Sequence, residues 1–446
     1  MKIDRGFAEE VVSKAIKSGA DQAEVFMRSS KSLSVEIKEQ AVDSLKSSAS
    51  IGYSLRVIKD GRLGFSYATA AGDRDSIITK AIDAARFSDP DNFLDLPEAG
   101  LPAAVSVLDP QLQATDEGEA IKAVMLMERS VYGADRRIKK VRKASGSFTS
   151  SGTVIVNSKG VKVYYESTAC SAQVMAIAEE NGESQVGWDY DAGCFLKDIS
   201  FDGVGMGAAR RAALLLGSRK MAGTKGNVII DNAVTAEFLG IFASSLSAEA
   251  VQKGKSLLAG RLGSRVISAG INLVDSGLLN GRLGSSPVDD EGVPSQEKTV
   301  IHEGVLKAYL YNTYTARKAR AVSTGNAARG GFSTLPSVGV SNLFLEPVSG
   351  TSVVPKERLF AEIGRGLYVT DAMGVHTANP ISGDFSVGVT GLWIESGELA
   401  FPVKEAVLSG NILELFGKIE AVGDDLRFFG NIGAPSLIIC GADISA

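Results

Sequence analysis

The chain has 446 residues, a formal net charge of −5 and 22% charged residues. This length allows two or three domains with substantial cores. The sequence lacks a long basic block, which argues against direct nucleic-acid binding, and no apolar run approaches the ~20 residues of a membrane span. Its three cysteines are odd in number and far apart, which favours a reducing compartment. The segment Met1–Arg5 has no apolar signal core, so we expect a cytoplasmic protein.

The first part of the chain predicts one α+β unit. Its elements in chain order are a helix at 4–18, strands at 23–28, 32–38, 51–58 and 63–68, and a helix at 73–88. Asp60-Gly61 lies between the last two strands and is typical of a type I′ hairpin turn. The following segment, 89–116, contains four prolines and indicates a domain boundary.

The second part repeats this order of elements without repeating the sequence. It predicts a helix at 117–134, strands at 139–148, 153–157, 161–166 and 171–179, and a helix at 202–217. The repetition indicates either a duplicated fold or two α+β layers.

The third part predicts a largely β domain. A strand at 227–230 precedes a long helix at 234–258, and hairpins follow at 300–306 and 392–399. A closed or sandwich-like β unit is the natural expectation. The predicted fold class is α+β, with two helix and antiparallel-strand units at 1–100 and 111–222 and a β-rich domain at 224–446.

Two histidines, His302 and His376, are the only ones in the chain. Because histidine is the usual general base and the commonest metal ligand, this limits zinc chemistry and Ser-His-Asp chemistry. His302 falls in a predicted hairpin, and Leu306 occupies the i+4 position where a zinc helix needs its second histidine. His376 falls in a polar loop, and because loops often carry function it is a candidate peptide-binding residue.

Two polar segments are further candidates. Asp289-Asp290-Glu291 lacks calcium-loop spacing, so we expect a solvated turn there. In the loop Ser323–Gly331, Asn326 and Arg329 are candidates for hydrogen bonding a peptide or a carboxylate. A loop without any ligand role is the alternative.

Several of these segments together resemble the TldD/PmbA family over nearly the whole length. The resemblance is carried by Asp289-Asp290-Glu291-Gly292, Gly304-Val305-Leu306 with Tyr309-Leu310, Ser323–Arg329, Asn342-Leu343 and Val422–Leu426. In the catalytic TldD branch, the long helix carries a His-Glu-x-x-x-His motif. Two histidines and a later cysteine bind zinc there, and the glutamate is the general base.

Aligned with that motif, this sequence has Ala248 and Lys253 at the histidine positions and Glu249 at the glutamate position. The cysteine region falls near Phe429–Asn431, which contains no cysteine. The resemblance is therefore to the PmbA (TldE) branch, with no metal ligand in this chain. Glu249 is either a vestigial catalytic glutamate or a helix-surface carboxylate pairing with Lys253 at i, i+4.

The resemblance implies a subunit of a heteromeric metallopeptidase. A TldD-like partner would hold the zinc, and unfolded peptides would be the substrates. An edge strand would suit such a peptide, and the isolated chain is expected to form a homodimer. Two alternatives stay open. One is a stand-alone metallopeptidase that uses His376, His302 and an acidic group. The other is a non-enzymatic regulatory protein, because the family that the chain resembles was once described as modulators of DNA gyrase.

Overall fold

The computed structural model of the chain describes residues 4–69 and 74–445. The predicted N-terminal segment before residue 4 and the first residue of the helix predicted at 73–88 lie outside them. In chain order the N-terminal half contains α1 (Arg5–Lys17), β1 (Gln22–Lys38), β2 (Ala41–Lys59), β3 (Arg62–Ala68), α2 (Arg74–Arg86), α3 (Pro110–Ala114), α4 (Glu117–Ala134), β4 (Ile138–Asn157), β5 (Lys162–Glu180), β6 (Glu183–Gly193) and α5 (Phe201–Leu214).

The C-terminal half is richer in short strands. It contains β7 (Thr224–Ile230), α6 (Asn232–Ser244), α7 (Ala248–Gln252), β8 (Ile271–Ser276), β9 (Glu297–His302), β10 (Val305–Leu306), α8 (Thr313–Ala319), β11 (Ala327–Ala328), β12 (Ser337–Val338), β13 (Asn342–Pro347), β14 (Val353–Val354), α9 (Leu359–Ile363), β15 (Gly366–Met373), β16 (Asp384–Glu395), β17 (Glu398–Asn411), α10 (Ile412–Gly417), β18 (Ile419–Gly423), β19 (Arg427–Phe429), β20 (Ile432–Ala434) and β21 (Leu437–Ser445).

The strands of the two predicted N-terminal units form one sheet. Its order is β3-β2-β1-β4-β5-β6, and β1 pairs with β4 in antiparallel register from Glu24–Asn157 to Ile37–Ala144. The breaks predicted within β1, β4 and β5 are absent, and the serine-containing segments there continue as strand. Hydroxyls pair across the sheet at this point: Ser32 Oγ lies 2.9 Å from Thr149 Oγ1.

One face of this sheet carries the helices. Val25 packs in a core with α1 and α2, and Val35 packs in a second core with α4 and α5. Both are odd-numbered positions of β1 with no register shift between them, so they lie on the same face. On the opposite face, Phe26 packs against Val288 of the C-terminal half.

The predicted hairpins are confirmed at their turns. Asp60 and Gly61 have φ of 52° and 67°, and Glu303 and Gly304 have φ of 49° and 77°. Two consecutive left-handed residues are what a type I′ turn requires, and this conformation matches the twist of the flanking strands.

A closed barrel forms the centre of the C-terminal half. β7, β15, β16, β17 and β21 are neighbours in this order, and pairing of β21 with β7 closes the ring. The predicted closed β unit is thus confirmed. The rings of Phe238 on α6 and Phe385 on β16 lie edge to face at 4.8 Å, which ties this helix to the barrel. No helix within residues 4–69 and 74–445 is long and apolar enough to cross a membrane.

The single helix predicted at 234–258 is wrong. The chain forms α6, leaves the helix at Ser245 and begins α7 at Ala248. Two backbone bonds to another segment compete with the helix here: Leu310 N donates to Leu246 O, and Ala248 N donates to Leu310 O, both at 2.9 Å. Serine at the break favours this conformation, since the Ser247 side chain caps α7.

Candidate functional site

The break between α6 and α7 determines the surroundings of Ala248, Glu249 and Lys253, the residues at the family's zinc-motif positions. Ala248 is 2% exposed and packs in the core. Glu249 and Lys253 lie one helical turn apart on the surface, and Lys253 Nζ is 2.5 Å from Glu249 Oε1. At the three motif positions, Ala248 therefore supplies a buried methyl group, and the Glu249 carboxylate is paired with the Lys253 ammonium group.

Three cavities lie along one extended segment, residues 336–341, which we call the groove strand. The helix cavity has a volume of about 520 Å³ and is lined by Gly240, Ser244, Glu249, Lys253 and Val338–Val340. The Arg56 cavity has a volume of about 420 Å³ and is lined by Arg56, Asp91, Glu249, Tyr314 and Pro336. The Arg28 cavity has a volume of about 400 Å³ and is lined by Arg28, Ser151, Ser167, Ser285 and Gly339–Ser341. Glu249 is shared by the first two, so it stands at their junction.

The groove strand has an open edge beside the helix cavity. In the β11–β12 pair Ala327 lies opposite Val338. Ala327 N donates to Asp289 Oδ2 at 3.0 Å, so the backbone of Ala327 faces away from β12. Residues directly opposite in an antiparallel pair face either towards each other or both outward. The N–H and C=O groups of Val338 therefore point away from β11, and no backbone group within residues 4–69 and 74–445 pairs with them.

A buried polar cluster holds the groove strand in place. Asn326 Nδ2 donates to Gly339 O at 2.9 Å and to Asp275 Oδ2 at 2.8 Å. Asp275 Oδ1 accepts from Ser341 N at 2.6 Å. Lys298 Nζ lies 2.9 Å from both Asp275 Oδ2 and Asn326 Oδ1. Asn326 thus supports the backbone of the groove strand, and its own contact with a peptide stays a prediction.

A buried ion network joins the sheet to the C-terminal half. Glu24 accepts hydrogen bonds from Arg56 at 2.7 Å and from Arg329 at 2.5 Å, and Arg56 also binds Glu291 at 2.9 Å. Burial lowers the pKa of Arg329, while at Arg56 the two carboxylates outweigh burial and raise the pKa. The Arg329 side chain is fully buried here. Its predicted role in peptide binding stays untested, and its place in this network is structural.

The solvated turn expected at Asp289-Asp290-Glu291 is wrong. Asp289 is 5% exposed and Glu291 is fully buried. The Asp289 carboxyl group accepts from the backbone N–H groups of Glu291, Val293 and Ala327, which replaces the water that it loses. Burial and the nearby Glu291 raise the pKa of Asp289. The acidic segment is therefore part of the domain junction.

The two histidines lie on separate elements. His302 ends β9 at a hairpin, 3.9 Å from Glu303. His376 is exposed in a short turn and lines none of the three cavities described above. The proposed peptide contact of His376 stays a prediction. Sequence reasoning missed Arg28 and the groove strand, because an isolated arginine and a two-residue strand carry no periodic signal.

Glu237 on α6 gives the chain a predicted pH dependence. Burial raises its pKa to about 7, and Asp371 adds to this effect. The folded state then holds a proton that the unfolded chain releases, so the free energy of unfolding falls as pH rises from about 4.5 to about 7. Glu237→Gln should remove about 1–2 kcal/mol of this fall, allowing for solvent screening. Urea unfolding at pH 4.5 and pH 8 would measure it. Glu346→Gln, at an exposed strand position, is the control and should leave the fall unchanged.

Comparisons with known proteins cover the whole chain. The metalloprotease PmbA of Escherichia coli O157:H7 is 29% identical over 451 aligned positions, covering 98% of this chain and 96% of that protein. A crystal structure of a candidate modulator of a DNA gyrase from Thermotoga maritima MSB8 superposes with a TM-score of 0.91 at 27% identity, covering 99% of both chains. The TldE structure from Thermococcus kodakarensis shares the fold, with a TM-score of 0.88 at 21% identity, covering 99% of this chain and all of that one.

Family models match three successive parts of the sequence. They are described as PmbA/TldA metallopeptidase domain 1 at residues 23–88, the central domain at 110–216 and the C-terminal domain at 223–446. These matches agree with the resemblance carried by the motifs of the C-terminal half. The chain belongs to the PmbA/TldD metallopeptidase family.

Proposed function

We propose that this chain is the PmbA (TldE)-type subunit of a heteromeric metallopeptidase. It binds and encloses unfolded peptides, and a TldD-type partner supplies the zinc. The observation that carries this proposal is the open edge at Val338, which lies in a groove shared with Glu249. A strand edge recognises any extended backbone through main-chain hydrogen bonds, whereas a folded protein keeps its backbone groups paired.

The side chains of this chain do not fit zinc at the family's motif positions. Ala248 has no donor atom, and Lys253 would first have to lose its proton and its partner Glu249. Phe429–Asn431 offers no thiolate at the third position. A lone carboxylate is far from the tetrahedral nitrogen and sulfur set that holds zinc. We therefore assign no catalytic step to this chain, and Glu249 acts as a groove carboxylate paired with Lys253.

Because we assign no zinc to this chain, the proposal requires a second subunit that carries the metal. A subunit that binds peptides without metal needs a catalytic subunit, and the similarity to PmbA and TldE supports a TldD-like partner. When isolated, the chain is expected to form a homodimer, the commonest arrangement of soluble oligomers. We place the complex in the cytoplasm, where unfolded peptides are available.

A reconstitution experiment tests this proposal. The chain, a TldD-type homologue carrying His-Glu-x-x-x-His from the same genome, and their equimolar mixture would each be incubated with an unfolded peptide and with a folded protein. We expect cleavage of the unfolded peptide to rise strongly in the mixture and the two chains to co-elute. Failure of the chains to associate, or a mixture that cleaves the unfolded peptide no faster than the TldD-type homologue alone, would contradict the proposal and favour the regulatory alternative.

A further inference from the structure

Arg28 is a cation at the base of a polar cavity. It lies on β1, opposite Gly52 of β2 and Thr153 of β4. Its side chain lines the Arg28 cavity, and within the described ranges its guanidinium group makes no hydrogen bond or ion pair with another side chain. A guanidinium group has five N–H donors and no acceptor, so a partner must offer acceptor oxygens.

Hydroxyl groups line the same cavity as this guanidinium group. Ser151 and Ser167 lie opposite each other on β4 and β5, and Ser341 lines the cavity from the C-terminal half. The Ser285 hydroxyl group also lines it but is already engaged, because it donates to Leu279 O and accepts from the Asn342 side chain. Hydroxyls both donate and accept, so they adapt to a ligand with several acceptor oxygens. A planar carboxylate satisfies the arginine fork and leaves lone pairs for the hydroxyls.

The hydroxyl lining continues beyond the cavity along the sheet. The next rows of strand partners on this face are Ser30–Ser50, Ser32–Ser48 and Ser34–Ser147. These even-numbered β1 positions lie on the face opposite the helices, like Phe26 and Arg28. The strand rows beyond the cavity therefore continue its hydroxyl groups on the same face of the sheet.

The Asp290 carboxyl group beside the cavity does not form an ion pair with the Arg28 guanidinium group. Asp290 also lines the cavity, but its Oδ2 accepts from Arg329 N at 2.7 Å. Burial raises the pKa of Asp290, although the Arg329 N–H and the charge of Arg28 oppose this. Asp290 is thus anchored to the C-terminal half, and Arg28 keeps donors for a ligand.

We propose that Arg28 binds a carboxylate of the peptide held along the groove strand, either its C-terminal carboxylate or an acidic side chain. This inference rests on the proposed function. The groove strand connects the two sites, because Gly339 and Val340 line both the helix cavity and the Arg28 cavity. In this proposal, the peptide residues that pair with Val338 lie in the helix cavity. A later residue of the same peptide extends into the Arg28 cavity and contacts the guanidinium group.

Equilibrium binding of fluorescent unstructured peptides to the full chain tests the inference. One peptide pair differs only in a free or amidated C-terminus, and a second pair differs only in an internal Glu or Gln. We expect removal of the relevant carboxylate to weaken binding to the wild type about ten-fold, the size of one charge-assisted contact. The pair that responds identifies the source of the carboxylate.

Variants at the arginine complete the test. Arg28→Gln should bind both members of the responding pair equally, and Arg28→Lys should restore part of the difference. Lys31→Gln changes an exposed cation on the other face of the same strand and should keep the full difference. Thermal unfolding checks that each variant is folded. Peptides that bind equally whatever their carboxylates would overturn the inference, whereas absence of any peptide binding to the wild type would instead contradict the proposed function.

Discussion

Glu24→Gln is expected to lower the free energy of unfolding by about 3–5 kcal/mol. Among the described residues, Glu24 is the carboxylate that contacts both Arg56 and Arg329, and both partner guanidinium groups are buried. The substitution keeps the shape of the side chain and removes its charge, so the buried Arg329 loses its carboxylate partner and the buried Arg56 keeps only Glu291. Urea unfolding followed by tryptophan fluorescence would measure the loss.

The matched control for this prediction lies on the same strand. Glu36 forms an exposed pair with Lys143 at 2.8 Å, and Glu36→Gln should change stability by at most about 1 kcal/mol. Equal effects of the two substitutions would contradict the account of the domain junction, because burial would then make no difference to the pair.

Val338→Pro should weaken the binding of unfolded peptides about ten-fold or more. Proline removes an N–H group that points away from β11, so the existing strand pair keeps its hydrogen bonds. The peptide loses a main-chain partner, and the ring obstructs the open edge. Fluorescence anisotropy of a labelled unfolded peptide would measure the loss of affinity.

Val338→Thr is the control for the open edge, because it keeps both the backbone donor and the branched shape. It should bind peptides like the wild type. A proline variant that is folded and retains full affinity would show that peptides do not pair with the groove strand.

Local chemistry made much of the fold predictable. The turn at Asp60-Gly61 follows from the need for two left-handed residues, which glycine and a short polar neighbour satisfy, and at Glu303-Gly304 the glycine alone indicates the turn. The closed β unit follows from many short strands separated by turn residues. Both features depend on residues that are close in sequence.

The features that the sequence did not predict depend on contacts between residues that are far apart in the chain. Glu291 is buried because Arg56, 235 residues away, neutralises it. The helix breaks at Ser245 because Leu310 offers its backbone to the turn. In the same way Asn326 belongs to a support for Gly339, a role that no local pattern indicates. The groove strand is defined only by such tertiary contacts.

The small number of histidines agrees with the residues found at the family's zinc-motif positions, where the two histidines are replaced by Ala248 and Lys253. Under the proposed function, the partner supplies the metal ligands, and the groove of this chain holds the peptide. Ala248 then serves the core, and Lys253 neutralises Glu249 beside the open edge.

Zinc content and peptide hydrolysis, measured together on the isolated chain, would decide whether this chain is itself a metallopeptidase. The purified chain would be incubated with excess zinc, dialysed, analysed by elemental mass spectrometry and assayed with an unfolded peptide. The account predicts far less than one zinc ion per chain and no hydrolysis above background. One zinc ion per chain, accompanied by hydrolysis that a chelator abolishes, would contradict it and establish the chain as a peptidase in its own right.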